Sequence, residues 1–145
     1  MEQFLTFGKK EIPNLSGLKF TSQNAFEELK CLKLDNGYFD ILHGHDETFV
    51  LGLQMGAQSG IGTSLNVSAK IFKELKEAFD AGEMGKAMEI QCKANEIIAL
   101  MCRYNAIVGI KALLELVGIN AGPCRLPLKN IGEAEKKRLA EDFSK

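Results

Sequence analysis

An α/β fold built on a parallel sheet is the class that this sequence predicts, and two observations predict it. Short apolar runs alternate with amphipathic stretches three times between residues 15 and 82, and from residue 84 onward only helical patterns remain. Strand followed by helix, repeated, is the order of parallel strands joined by crossover helices, and such crossovers are right-handed.

Residues 2–12 read as a short helix ahead of the first strand. The first strand-like run is Leu15 to Thr21, in which Leu18 and Phe20 fall on one face and Gly17, Lys19 and Thr21 on the other. A helix follows, with Ser22 as its expected N-cap and Phe26, Leu29 and Leu32 at helical spacing. The second run is Phe39 to Gly44, leading into a helical stretch to about Ala57. The third is Ser59 to Ser64. After it, Ile71, Phe72, Leu75, Ala78 and Phe79 form one apolar stripe, and Gly82 suits the helix exit. Two longer helices are expected at 84–103 and 105–117, then a turn punctuated by Gly118, Gly122, Pro123 and Pro127, then a polar helix at 132–143. Residues 1–83 thus form the βα units, and 84–145 a helical segment of the same domain.

Composition narrows the function. A net charge of −1 offers no basic field for nucleic acid and no cationic surface for a membrane. No apolar run approaches the roughly 20 residues needed to span a bilayer. Cys31, Cys92, Cys102 and Cys124 are widely spaced and include no Cys-x-x-Cys pair, as expected of reduced thiols in a cytoplasmic protein.

Lys19 is unusual between Leu18 and Phe20. Parallel strands are normally covered on both faces, so the amine either enters a protein interior or lies on an edge strand, where it would block aggregation. Burial lowers a lysine's pKa, and only the neutral amine attacks a carbonyl.

The segment Ile12-Pro13-Asn14-Leu15-Ser16-Gly17-Leu18-Lys19-Phe20-Thr21-Ser22 resembles that around the Schiff-base lysine of the N-acetylneuraminate lyase family, within the wider group that includes dihydrodipicolinate synthases. Further matches follow in order: Gly44-His45-Asp46-Glu47, the glycine turn Gly60-Ile61-Gly62-Thr63-Ser64-Leu65-Asn66, Gly109 to Leu114, and Gly122 to Leu128. The resemblance implies a partial (β/α)8 TIM barrel, strands six to eight with their helices, followed by a C-terminal helical segment. It implies Lys19 as the nucleophile of a class I aldolase. Thr21, Gly44, Asp46, Glu47 and Thr63, with the Gly62 backbone, would hold the hydroxyl-bearing end of a sialic acid. Adjacent carboxylates suit a polyol because they offer several acceptors. No metal or organic cofactor is implied. The small-molecule substrates would be sialic acid and pyruvate, and the resemblance implies a homo-oligomer, a tetramer.

The family's first half also carries a carboxylate-binding loop and a proton-relaying tyrosine, and neither Tyr38 nor Tyr104 lies in a matching context. Three parallel strands do not close a barrel, so the inward face is expected to meet water. The chain is therefore expected to be a fragment of a longer product or to need a partner subunit, and a catalytically silent, partner-binding fragment is the alternative to an active lyase. His43 and His45, two apart beside Asp46 and Glu47, raise a third reading as a metal-dependent hydrolase.

Overall fold

The computed structural model describes residues 1–144. The chain divides into two compact units, Met1–Gly62 and a second from Thr63 onward. The change in sequence pattern falls at residues 83–84, but the break in packing falls after Gly62. The apolar stripe of the helix Leu65–Asp80 explains the difference, because it packs chiefly on the helix that follows it.

In the first unit, α1 (Glu2–Glu11) precedes β1 (Gly17–Phe20), α2 (Ala25–Lys33), β2 (Asp40–His43) and α3 (Phe49–Met55). β1 and β2 pair in parallel, with Gly17, Leu18, Lys19 and Phe20 opposite Asp40, Ile41, Leu42 and His43. Gly17 is obligatory here: a β-carbon at that position would collide with the Asp40 carbonyl. The face carrying Leu18, Phe20 and Ile41 closes on a core with Leu5, Cys31 and Phe39, and apolar burial of this kind is worth about 25 cal/mol per Å².

Three expectations are corrected in this unit. Ser59–Ser64 is not a third strand. It joins the sheet only through a parallel bridge between Gly60 and His43, where His43 donates to the Ser59 carbonyl and Ile61 donates to that of His43. The cap of α2 is Asn24, which accepts from the Glu27 N–H, while Ser22 accepts from the Asn24 N–H one turn earlier. Of the stripe Phe26, Leu29 and Leu32, Leu32 packs against the core while Phe26 and Leu29 face solvent, and α2 buries Glu28 and Cys31 beside it. The cause is a polar partner beneath Glu28, described below.

In the second unit, α4 (Leu65–Asp80), α5 (Met84–Cys102), α6 (Ala106–Leu116) and α7 (Glu133–Phe143) follow the expected order within a few residues. α4 bends at Ser68, whose hydroxyl donates to the Ser64 carbonyl at 2.7 Å. Asn105 caps α6 through the Ile107 N–H. α5, α6 and α7 share a core of Leu100, Met101, Ile110, Leu113 and Leu139. Gly109 sets the crossing of α5 and α6, since a β-carbon there would collide with the Met101 backbone. Among the described residues no single helix is long and apolar enough to cross a membrane.

Candidate functional site

Gly17 and Lys19 stand on the face of β1 opposite the core, as the alternation of the strand requires, and Thr21 follows the strand end. Lys19 is exposed, whereas Phe20 beside it is 3% exposed. This is the water-facing inward surface expected of a sheet too small to close, since β1 and β2 form a two-stranded sheet among the described residues.

Past the strand ends the chain draws several of the expected residues together. Gly44 donates its N–H to the Phe20 carbonyl at 2.8 Å, and a β-carbon on Gly44 would strike the Thr21 hydroxyl. Thr21 and Gly44 thus lie side by side beyond β1 and β2. Asp46, Glu47 and Thr48 form a single 3-10 turn, closed by the Thr48 N–H on the His45 carbonyl. Thr48 precedes the first residue of α3 and makes no side-chain capping bond to it. Asp46 is half-buried against Gly62, and Glu47 is exposed, with its Oε1 3.1 Å from His45 Nδ1. Thr63 is exposed and begins the second unit, where its carbonyl accepts from the Asn66 side chain.

Beneath this turn lies a network that the residue pattern only half reveals. His43 is 4% exposed and Glu28 1% exposed, and His43 Nδ1 is 2.7 Å from Glu28 Oε1. His43 Nε2 is 3.1 Å from Thr48 Oγ1. A buried acid tolerates such a place only with a donor beside it, which is why α2 turns Glu28 inward. The helix α3 lies directly on the imidazole, and Gly52 makes that possible, because a β-carbon there would enter the ring. His43 carried a signal in the sequence; Glu28 and Thr48 carried none, since an acid in an amphipathic helix ordinarily faces water. A cavity of about 470 Å³ opens alongside, lined by Ser22, Glu28, His43, His45, Thr48 and Leu51 among others.

The same network corrects the hydrolase reading. Both ring nitrogens of His43 are committed to protein partners, and the His43 and His45 ring centres lie 6.1 Å apart. Among the described residues no group of three or more His, Cys, Asp or Glu side chains is arranged to hold a metal ion.

N-acetylneuraminate lyase of Rhizobium meliloti is 33% identical over 129 residues, which is 89% of this chain and 43% of that protein. N-acetylneuraminate lyase 2 of Escherichia coli O6:H1 is 33% identical over 123 residues, 84% of this chain and 40% of its own length. Among solved structures, the Proteus mirabilis N-acetylneuraminate lyase superposes with a TM-score of 0.92 at 35% identity, covering 99% of this chain and 49% of that one. The Aliivibrio salmonicida N-acetylneuraminate lyase, or sialic acid aldolase, gives 0.92 at 36% identity over 99% of this chain and 48% of its own. The chain spans less than half the length of these relatives. The dihydrodipicolinate synthetase family matches residues 2–145, so the chain belongs to that family.

Proposed function

We propose that this chain supplies the Schiff-base portion of an aldol lyase that cleaves N-acetylneuraminate to N-acetylmannosamine and pyruvate. β1, β2 and the segment bridged through Gly60 would stand at the places of strands six to eight of a (β/α)8 barrel, with the reactive groups at the C-terminal strand ends where barrel enzymes keep their sites. The observation that supports this most directly is the grouping around Gly44. Lys19 stands on the open face of β1, Thr21 just past the strand adjoins Gly44, and the turn bearing Asp46 and Glu47 follows at once.

In this mechanism the Lys19 amine adds to the C2 ketone of the open-chain acid, and loss of water gives an imine. The protonated imine draws in the electron pair of the C3–C4 bond as that bond breaks, releasing the aldehyde and leaving an enamine. Protonation of the enamine carbon and addition of water then free pyruvate and the amine. Asp46, Glu47 and Thr63 accept hydrogen bonds from the hydroxyl groups of the sugar end. The carboxylate clamp and the acid/base tyrosine of this chemistry come from outside the present residues, as does the cover that Lys19 needs to react as a neutral amine.

Borohydride reduction in the presence of pyruvate tests the assignment. Peptide mapping is expected to place the stable adduct on Lys19. An adduct on another lysine, or cleavage that survives Lys19→Ala, would sink it.

The exposure of Lys19 and the open edge of β1 favour a second reading, in which the chain is silent by itself and binds a lyase subunit through that face. Turnover of the chain alone, and mixed with a polypeptide supplying the first half of the fold, separates the two.

A further inference from the structure

We infer that Glu28, His43 and Thr48 form a positioning relay that sets the Asp46–Glu47 turn for the hydroxyl-bearing end of the substrate; the inference rests on the lyase reading above. The relay starts from a fixed point. Glu28 sits on α2 with 1% exposure, and its carboxylate accepts from the Nδ1–H of His43 at 2.7 Å. The other ring nitrogen, Nε2, lies 3.1 Å from the Thr48 hydroxyl oxygen, which also reaches the His45 carbonyl at 3.5 Å. Gly52 of α3 presses on the ring and removes its freedom to turn.

Thr48 is the last residue of the 3-10 turn that carries the acidic pair, and its backbone N–H already holds the His45 carbonyl at 3.2 Å. The turn is therefore tied by its main chain at both ends, Thr48 N–H to the His45 carbonyl and Phe49 N–H to that of Asp46, and by its Thr48 side chain, through His43, to a buried acid on a different helix. A three-residue turn has little stability of its own. Side chains that must meet a substrate need a supporting shell of this kind to keep their geometry. His45, which bonds Glu47 at 3.1 Å, is held in the same turn, so the relay also governs where Glu47 stands.

Because the turn addresses hydroxyls remote from the bond that breaks, loosening it removes binding common to ground and transition states. That raises KM and leaves kcat nearly unchanged. Thr48→Val keeps the shape and deletes the hydroxyl. In the complete lyase it is expected to raise KM for N-acetylneuraminate about tenfold, the loss of one buried hydrogen bond, with kcat within about twofold. Borohydride capture of pyruvate on Lys19 is expected to be unchanged, since pyruvate has no polyol end. Thr48→Ser restores the hydroxyl and is expected to restore KM.

An unchanged KM in Thr48→Val would overturn the relay. So would a matching loss of pyruvate capture, which would mark general damage, or a failure of Thr48→Ser to rescue. If the parent protein captures no pyruvate, the lyase reading fails and the relay is judged by hydrogen exchange instead. Exchange of the Thr48 amide is then expected to quicken about tenfold in Thr48→Val and to recover in Thr48→Ser; unaltered exchange would overturn it.

Discussion

Asp46 occupies the space that a side chain at position 62 would fill: a β-carbon on Gly62 would overlap the Asp46 β-carbon and carboxylate. The turn after β2 and the glycine turn Gly60–Gly62 are therefore built to one another's dimensions. Gly62 has no left-handed backbone angle, so its reason is this close approach and not conformational freedom. Gly62→Ala is expected to push Asp46 out of place without unfolding the chain. Loss of hydrogen bonds to a charged acceptor would weaken substrate binding roughly ten- to a hundredfold. Steady-state kinetics with N-acetylneuraminate should show that rise in KM, while pyruvate capture on Lys19 stays intact. A variant with parental KM would show that Asp46 does not touch the substrate.

The Glu28–His43 pair makes a thermodynamic prediction separate from catalysis. Removing one member of a buried polar pair strands the other, so His43→Leu is expected to destabilise the fold by about 3 kcal/mol or more. Replacing both, as Glu28→Leu with His43→Leu, is expected to recover most of that loss, because two apolar side chains of fitting size need no partners. Urea unfolding of the single and double variants measures the difference. A double variant no more stable than the single one would mean that the pair's geometry, and not its stranded charge, sets the cost.

The C-terminal helices were legible because their signals are local. α5, α6 and α7 carry apolar periodicity long enough to dominate, and Gly82 and Gly118 both take the positive φ that ends a helix. The third strand was not legible as it is found. Ser59–Ser64 has the composition of a buried strand, but a strand is made by its neighbours, and here only His43 pairs with it. Glu28 escaped for a similar reason. Its burial is decided by a histidine fifteen residues away on another element, and nothing in the pattern of α2 marks Glu28 rather than Phe26 as the inward residue. The approach of Thr21 to Gly44 is a contact between two strand ends, which the spacing along the chain does not encode. The exposure of Lys19 depends on what covers that face of β1, which no local pattern encodes.

The cysteines give a prediction with a defined pH window. Cys31 is fully buried on the inner face of α2, whereas Cys92 and Cys102 are exposed, and all are free thiols. Burial, more than any neighbouring charge, pushes the Cys31 thiol above its ordinary value of 9.0. Alkylation at mildly alkaline pH is expected to modify Cys92 and Cys102 at least about a hundredfold faster than Cys31, because only the accessible thiolate reacts. The sign for stability follows from the same shift. A thiol held protonated in the fold ionises first in the unfolded chain, so its contribution is complete below 9.0 and is lost as pH rises through the higher folded value. The urea midpoint is therefore expected to fall as pH climbs from 9.0 toward the higher folded value, and Cys31→Ala to remove that part of the fall. Rapid labelling of Cys31 in the native chain, or an identical pH profile in Cys31→Ala, would show that α2 opens too readily to bury it.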